Sequence, residues 1–210
     1  MSKNILIQPA YFAPIAQYAA VLQSETTTIE VNDNFLKQTY RTRCAIYAAN
    51  GKLILNVPVN KAKGIKILTS NTTINYAEDW QKQHFRSLQA AYRSSPFYEY
   101  YEHDLRIIFE IKHKTLRELH AKCHNFVMDA LQEEKDLLIS DEYQLKSTKL
   151  DFRDWIDVKK NVEISFPKYI QMFDEKQGFI PNLSILDLIF MEGPSATIYL
   201  ENLNLNNVYA

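Results

Sequence analysis

The sequence predicts an α+β fold. One domain spans 1–210, with a small, mostly antiparallel sheet, including a β-hairpin at 43–58, packed by several helices. Three observations predict it. Short β-branched or apolar runs alternate with longer stretches whose apolar residues recur every three or four positions. Asn50-Gly51 sits between two apolar runs, the strongest short hairpin signal in the chain. Hydrophobic residues make up 46% of 210 positions, which suits one sizeable core and is too high for disorder.

Asn4 to Gln8 reads as a short buried strand stopped by Pro9, and Pro14 suits the first turn of a helix carrying Ile15, Tyr18, Ala19 and Leu22. Thr26 to Val31 is β-branched and alternating, a strand signature. Cys44–Ala48 and Leu53–Val57 flank the Asn-Gly turn, which favours the positive φ angles of type I′, and Pro58 marks the strand's end. A basic loop, Lys61 to Gly64, leads to a brief strand at Ile65 to Leu68. Trp80, His84 and Leu88 share one face of a helix over Ala77 to Arg93, which Ser94-Ser95-Pro96 ends. After the aromatic group Phe97, Tyr98, Tyr100 and Tyr101, a longer helical pattern runs from Leu105 to Ala130 and breaks near His113 to Thr115. Leu137–Ile139 fits a strand or a loop, and 140–165 reads as an irregular excursion anchored by Leu150, Phe152, Trp155 and Ile156. Short helices are expected over Tyr169 to Phe173, Ser184 to Met191 and Pro194 to Leu200, with a frayed tail beyond Leu203.

Composition narrows the function classes. A formal net charge of −1 argues against a general nucleic-acid binder. Four glycines form neither a GxGxxG nor a P-loop pattern, so dinucleotide and P-loop nucleotide binding are disfavoured. Cys44 and Cys123 have no zinc-site spacing and are expected to be reduced. The start of the chain lacks the pattern of a signal peptide, and no run of about 18 apolar residues occurs. The expectation is a cytoplasmic protein without a membrane span. Its cofactor and oligomeric state are not fixed by the sequence.

Lys37, Arg41 and Arg43 hold odd positions, so in one extended strand they share a face. That face would suit a phosphate or carboxylate, with Gln38, Thr39 and Tyr40 as further donors; the alternative is a solvated strand edge. His84 is the candidate general base, or else a hydrogen-bonded core residue. Gln8 and Tyr11 precede a helix N-terminus that would attract an anion, or they form a structural turn. Tyr92 would line a pocket. Asn182 would cap the last long helix, and Asp187 in its first turn would pair with an arginine of the basic strand. His113, His120 and His124 share a spacing but lack an HExxH glutamate, so metal binding is disfavoured.

The blocks QPAYFAPIAQY, NFLKQTYRTRCAIYAANGKLILNVPV, WQKQHFRSLQAAYRSSPFYEYY, DFRDWI and GFIPNLSILDLIFMEGPSATIYL together resemble the WbqC-like protein family over nearly the whole chain. The resemblance implies a setting in surface-polysaccharide (O-antigen) biosynthesis and transfer of a glycine or related acyl group to a sugar. Many relatives carry His before the Gln-Pro of the first block, where this chain has Ile7. On this reading the substrate is a small molecule, a nucleotide-linked sugar. Lys37, Arg41 and Arg43 hold its diphosphate, His84 removes a proton, and Gln8 or Tyr11 orients the acceptor. The alternative is a non-catalytic scaffold whose 97–101 aromatics and basic loop hold a partner.

Overall fold

A computed structural model describes residues 3–60, 66–157 and 162–205. β1 (Asn4–Ile7), α1 (Ile15–Gln23) and β2 (Thr26–Ile29) form a strand–helix–strand unit, with Ile5 opposite Thr27 and Ile7 opposite Ile29 in a parallel pair. β5 (Leu137–Ile139) adds parallel to β2, and β6 (Leu150–Asp151) adds parallel to β1, giving the order β5-β2-β1-β6. The main sheet is therefore parallel, not mostly antiparallel. The reason is connectivity: a helix between β1 and β2 is the crossover that brings a strand back in the same direction, whereas the tight turn between β3 and β4 makes an antiparallel pair. The Ile5-Leu6-Ile7 run, buried throughout, is what a parallel strand covered on both faces requires.

The antiparallel part is the hairpin alone, β3 (Arg43–Ala48) with β4 (Gly51–Asn56). Ala48 pairs with Gly51, so Ala49 and Asn50 make the turn. Only Gly51, at φ +98°, takes positive φ there. A type I′ turn needs positive φ at both central residues, so the turn is not of that type. The geometry suits a type I turn closed by a left-handed glycine. The basic segment is likewise not one extended strand. Thr42 and Arg43 both donate backbone N–H bonds to the Thr39 carbonyl, and Gln38 sits at φ +64°. Residues 37–42 thus form a loop that aims its side chains in different directions.

α2 (Trp80–Tyr92), α3 (Tyr98–Glu110) and α4 (Leu116–Leu131) follow. The interruption between α3 and α4 falls where the sequence places it, and the Thr115 hydroxyl caps α4 by accepting from the Glu118 N–H. No strand forms over 66–68, where Leu68 makes a lone bridge to Asn34; the basic loop 61–64 lies outside the described residues. Residues 169–173 are irregular, and a short helix, α5 (Asp174–Gln177), comes after them. α6 (Ile185–Glu192) and α7 (Ser195–Asn202) complete seven helices among the described residues.

α1 and α6 are apolar nearly all round and buried through Leu22 and Met191, so they form the centre on which the other elements pack. Tyr98 and Tyr101 turn inward to this core and Tyr100 outward, which leaves little of the aromatic group as an interaction surface. Asp187, fully buried on α6, meets no arginine. Its Oδ1 accepts from the Tyr92 hydroxyl at 2.7 Å, and its Oδ2 from the Tyr169 hydroxyl at 2.6 Å and Gln171 Nε2 at 2.9 Å. Burial raises its pKa, and these three donors oppose that shift. Tyr92 also accepts the Tyr47 N–H, so the network ties α2, β3 and α6 together.

Gly193 ends α6 at φ +53°, and a Cβ there would lie 2.5 Å from the Phe97 ring. Gly193→Ala is expected to lower unfolding free energy by about 1–3 kcal/mol, through backbone strain and collision. Urea denaturation measures it, and an unshifted midpoint would contradict the packing described.

Candidate functional site at the carboxyl edge of the parallel sheet

The residues that leave the C-terminal ends of the parallel strands open onto two hollows. In open parallel sheets ligands bind outside these carboxyl ends, where strand order reverses. Here the chain moves outward from β1 through β2 to β5 and then returns to place β6 on the other side of β1. Gln8, the first residue past β1, lines both hollows. The first, about 170 Å³, lies between the ends of β1, β2 and β5 and the side of α4 that carries Arg117, His120 and His124. The second, about 390 Å³, lies between β1 and β6 and is bordered by Asp33, Arg41, Asp151 and Arg153.

One hydrogen-bonded chain holds both in place. Arg41, 2% exposed, donates from Nη2 to Asp33 Oδ2 at 2.7 Å, and Gln8 Nε2 donates to the same oxygen at 2.8 Å. Gln17 Nε2, from α1, donates to the Gln8 carbonyl at 3.0 Å. His120 Nε2 lies 2.7 Å from the Arg41 carbonyl oxygen. A carbonyl only accepts, so this nitrogen carries the hydrogen. Burial pushes the His120 pKa down to about 4, so the ring is neutral at pH 7 and Nδ1 presents a bare lone pair.

That lone pair has no partner, and neither do Gln8 Oε1 and Gln17 Oε1. Both amide nitrogens are already committed as donors, which fixes the oxygens as acceptors. Three buried acceptors without donors therefore belong to residues that line the smaller hollow. Of its lining residues only Arg117, at the rim, is charged, and much of the remaining wall is aliphatic. Across the hollow His124 stacks on Tyr18, with Nδ1 3.3 Å from its hydroxyl.

The residues flagged by sequence disperse. Gln8 and Arg41 belong to the edge just described, although Arg41 is committed to Asp33. Lys37 and Arg43 line a third hollow on the other side of the 35–43 loop. His84 is buried in the core against Trp80 and Phe109, with Nδ1 2.9 Å from the Tyr11 hydroxyl, and lines none of the three hollows. Tyr11 is fully buried, and its N–H bonds the Tyr40 carbonyl. Tyr40 is itself buried beside Ile156. Tyr92 and Asp187 form the internal network of α6. Asn182, at φ +52°, caps the first helix instead of the last: its Oδ1 accepts from the Ala16 N–H at 2.9 Å. Ser184 caps α6. The Ile15 N–H goes to the Leu183 carbonyl, so the start of α1 has its donors occupied and is no anion site.

His120, Gln17, Asp33 and Arg153 were not selected from sequence as site residues. Gln17, a polar residue inside an apolar helix, was the one local signal available. Ile7, where relatives are expected to carry His, lines the smaller hollow. Among the described residues no group of three or more His, Cys, Asp or Glu is placed to hold a metal ion. Both cysteines are free and buried, and burial raises both thiols.

Burial also pushes His84 and His124 to about 4. The unfolded chain protonates its histidines near 6.5 while the folded chain resists until about 4, so within that window the unfolded state binds more protons. Stability is expected to be fully present above 6.5 and to fall as pH drops toward 4. Chemical denaturation between pH 7.5 and 4.5 tests this, and a flat midpoint across the range would refute the buried neutral rings.

No solved structure matches the chain. The uncharacterized protein Rv1507c of Mycobacterium tuberculosis is 25% identical, in an alignment covering 95% of this chain and 98% of that protein. Residues 8–163 match the WbqC-like protein family, a span that begins at Gln8 and takes in Arg41, Asp33 and His120. The chain belongs to the WbqC-like protein family.

Proposed function

We propose that the chain binds a hydroxyl- or amine-bearing small molecule, a sugar carried on a nucleotide, and transfers an acyl or aminoacyl group to it at the carboxyl edge of the parallel sheet. The observation that carries this reading is that three residues lining one hollow, Gln8, Gln17 and His120, each hold a buried acceptor without a donor, Oε1, Oε1 and Nδ1. Leaving a buried acceptor unpaired costs about 1–3 kcal/mol, so a ligand that brings hydrogens to all three has a large advantage over one that brings none. Anions bring none. An ammonium would bring them, but no carboxylate lines this hollow to balance its charge. Neutral hydroxyls, or an uncharged amine about to react, fit best, and the aliphatic wall suits the C–H face of a sugar ring.

His120 is the base on this reading. As the acceptor's oxygen or nitrogen forms its bond to the carbonyl carbon of an activated acyl donor, such as a thioester or acyl phosphate, Nδ1 takes its proton. The donor's leaving group departs with the electron pair of the broken bond and is protonated. The products are an ester or amide and the freed leaving group. A pKa near 4 makes Nδ1 a weak base that passes the proton on instead of holding it. The neighbouring hollow is lined by polar side chains, among them the Arg41–Asp33 and Arg153–Asp151 pairs, and would take the donor. Gln8, common to both hollows, would keep the two substrates side by side.

Mass spectrometry of the purified chain's reactions with nucleotide-linked amino and hydroxyl sugars and activated glycine tests the reading. His120→Ala should lower turnover by about 10²–10⁴-fold with little change in KM. His84→Phe should retain turnover per folded molecule. The reverse pattern, or no product with any pair, would overturn it.

A further inference from the structure

We infer a separate phosphate-binding site in the hollow between the 35–43 loop and the exit of β4. This site does not rest on the transfer reading, because it uses none of the residues that line the smaller carboxyl-edge hollow. The hollow holds about 310 Å³. Among the described residues Lys37 and Arg43 line it and no carboxylate does, whereas Arg41 and Arg153 at the sheet edge each have an aspartate against them. Among the described residues neither Lys37 nor Arg43 is in an ion pair. Arg43 Nε is buried without a hydrogen-bond partner, although the residue is only half-buried as a whole.

A buried guanidinium N–H with no acceptor is the mirror image of the three donorless acceptors: it calls for a ligand that accepts. Two unit positive charges without a counter-charge favour a doubly charged anion, and the planar fork of Arg43 fits the paired oxygens of a phosphate. Thr42 and Asn56, which also line the hollow, add a hydroxyl and an amide to the donors available. Asn56 stands opposite Arg43 in the ladder, so the hairpin itself fixes one side of the site against the other. Gln38, in the same wall, holds a positive φ of +64°.

The ligand chemistry is phosphate, either free or as the diphosphate of a nucleotide. Isothermal titration of the full chain with inorganic phosphate, pyrophosphate and uridine diphosphate distinguishes the sources. Tighter binding of the nucleotide than of pyrophosphate assigns the ester, equal binding assigns the bare anion, and either upholds the site. Arg43→Gln and Lys37→Gln should each weaken binding by about tenfold or more, and Arg43→Lys should recover it only in part. Lys37 is exposed, so its variant remains decisive even if Arg43→Gln fails to fold. Gln17→Leu, on α1 and outside this hollow's lining, should leave the affinity unchanged, which separates failure of this site from failure of the transfer reading. No heat with any of the three anions, or affinity undiminished in Lys37→Gln, would overturn the proposal.

Discussion

The carboxyl edge of this protein depends on one buried ion pair. A guanidinium that is 2% exposed is sustained only if its charge is met, and Asp33 meets Arg41 at 2.7 Å. Removing one member of such a pair strands the other in a low-dielectric interior, where an unpaired charge is far more costly than the pair itself. The same aspartate oxygen takes the Gln8 amide, and the backbone carbonyl of Arg41 takes the His120 ring. A single pair thereby sets the orientation of groups from β1, the 35–43 loop and α4. Groups held this way have their rotamers decided before any ligand arrives, which is the preorganisation that binding and transfer both require.

The molecule separates two kinds of buried polarity. Around Asp187 every strong donor and acceptor is satisfied from within: two tyrosine hydroxyls and a glutamine amide surround one carboxylate. Such a network rigidifies the centre and leaves nothing to offer a ligand. Around His120 the bonds that position each side chain are made, while one atom on each of three side chains is left open. The contrast is chemical as well as geometric. The Asp187 carboxylate and its tyrosine partners are paired on α6, whereas Gln8, Gln17 and His120 at the edge of the sheet are paired on one atom and unpaired on another.

Much of the secondary structure was legible because it is local. The hairpin and the break near residue 113 follow from turn propensity and from helix-ending residues close by. The parallel pairing was legible too, in the order strand, helix, strand over the first 31 residues. The hairpin's stronger signal obscured it. The site was less legible. Lys37, Arg41 and Arg43 look equivalent as spaced cations, but the turn closing on the Thr39 carbonyl sends Arg41 to one side of the loop and the other two to the opposite side. His84 and His120 both sit on apolar helix faces, and nothing in their neighbours says which one meets a cavity.

By itself the sequence determined the family, the hairpin, the longer helices and which of their faces are apolar, since each is written in composition, period and motif. Only the tertiary structure decided that Gln8, Gln17 and His120 line one hollow, that Asn182 reaches back 166 positions to cap α1, and that His84 is walled in. Those outcomes depend on which strand ends and helix faces are brought together. A side chain's hydrogen-bond partners are then chosen by distance in space, over separations along the chain that local pattern does not encode.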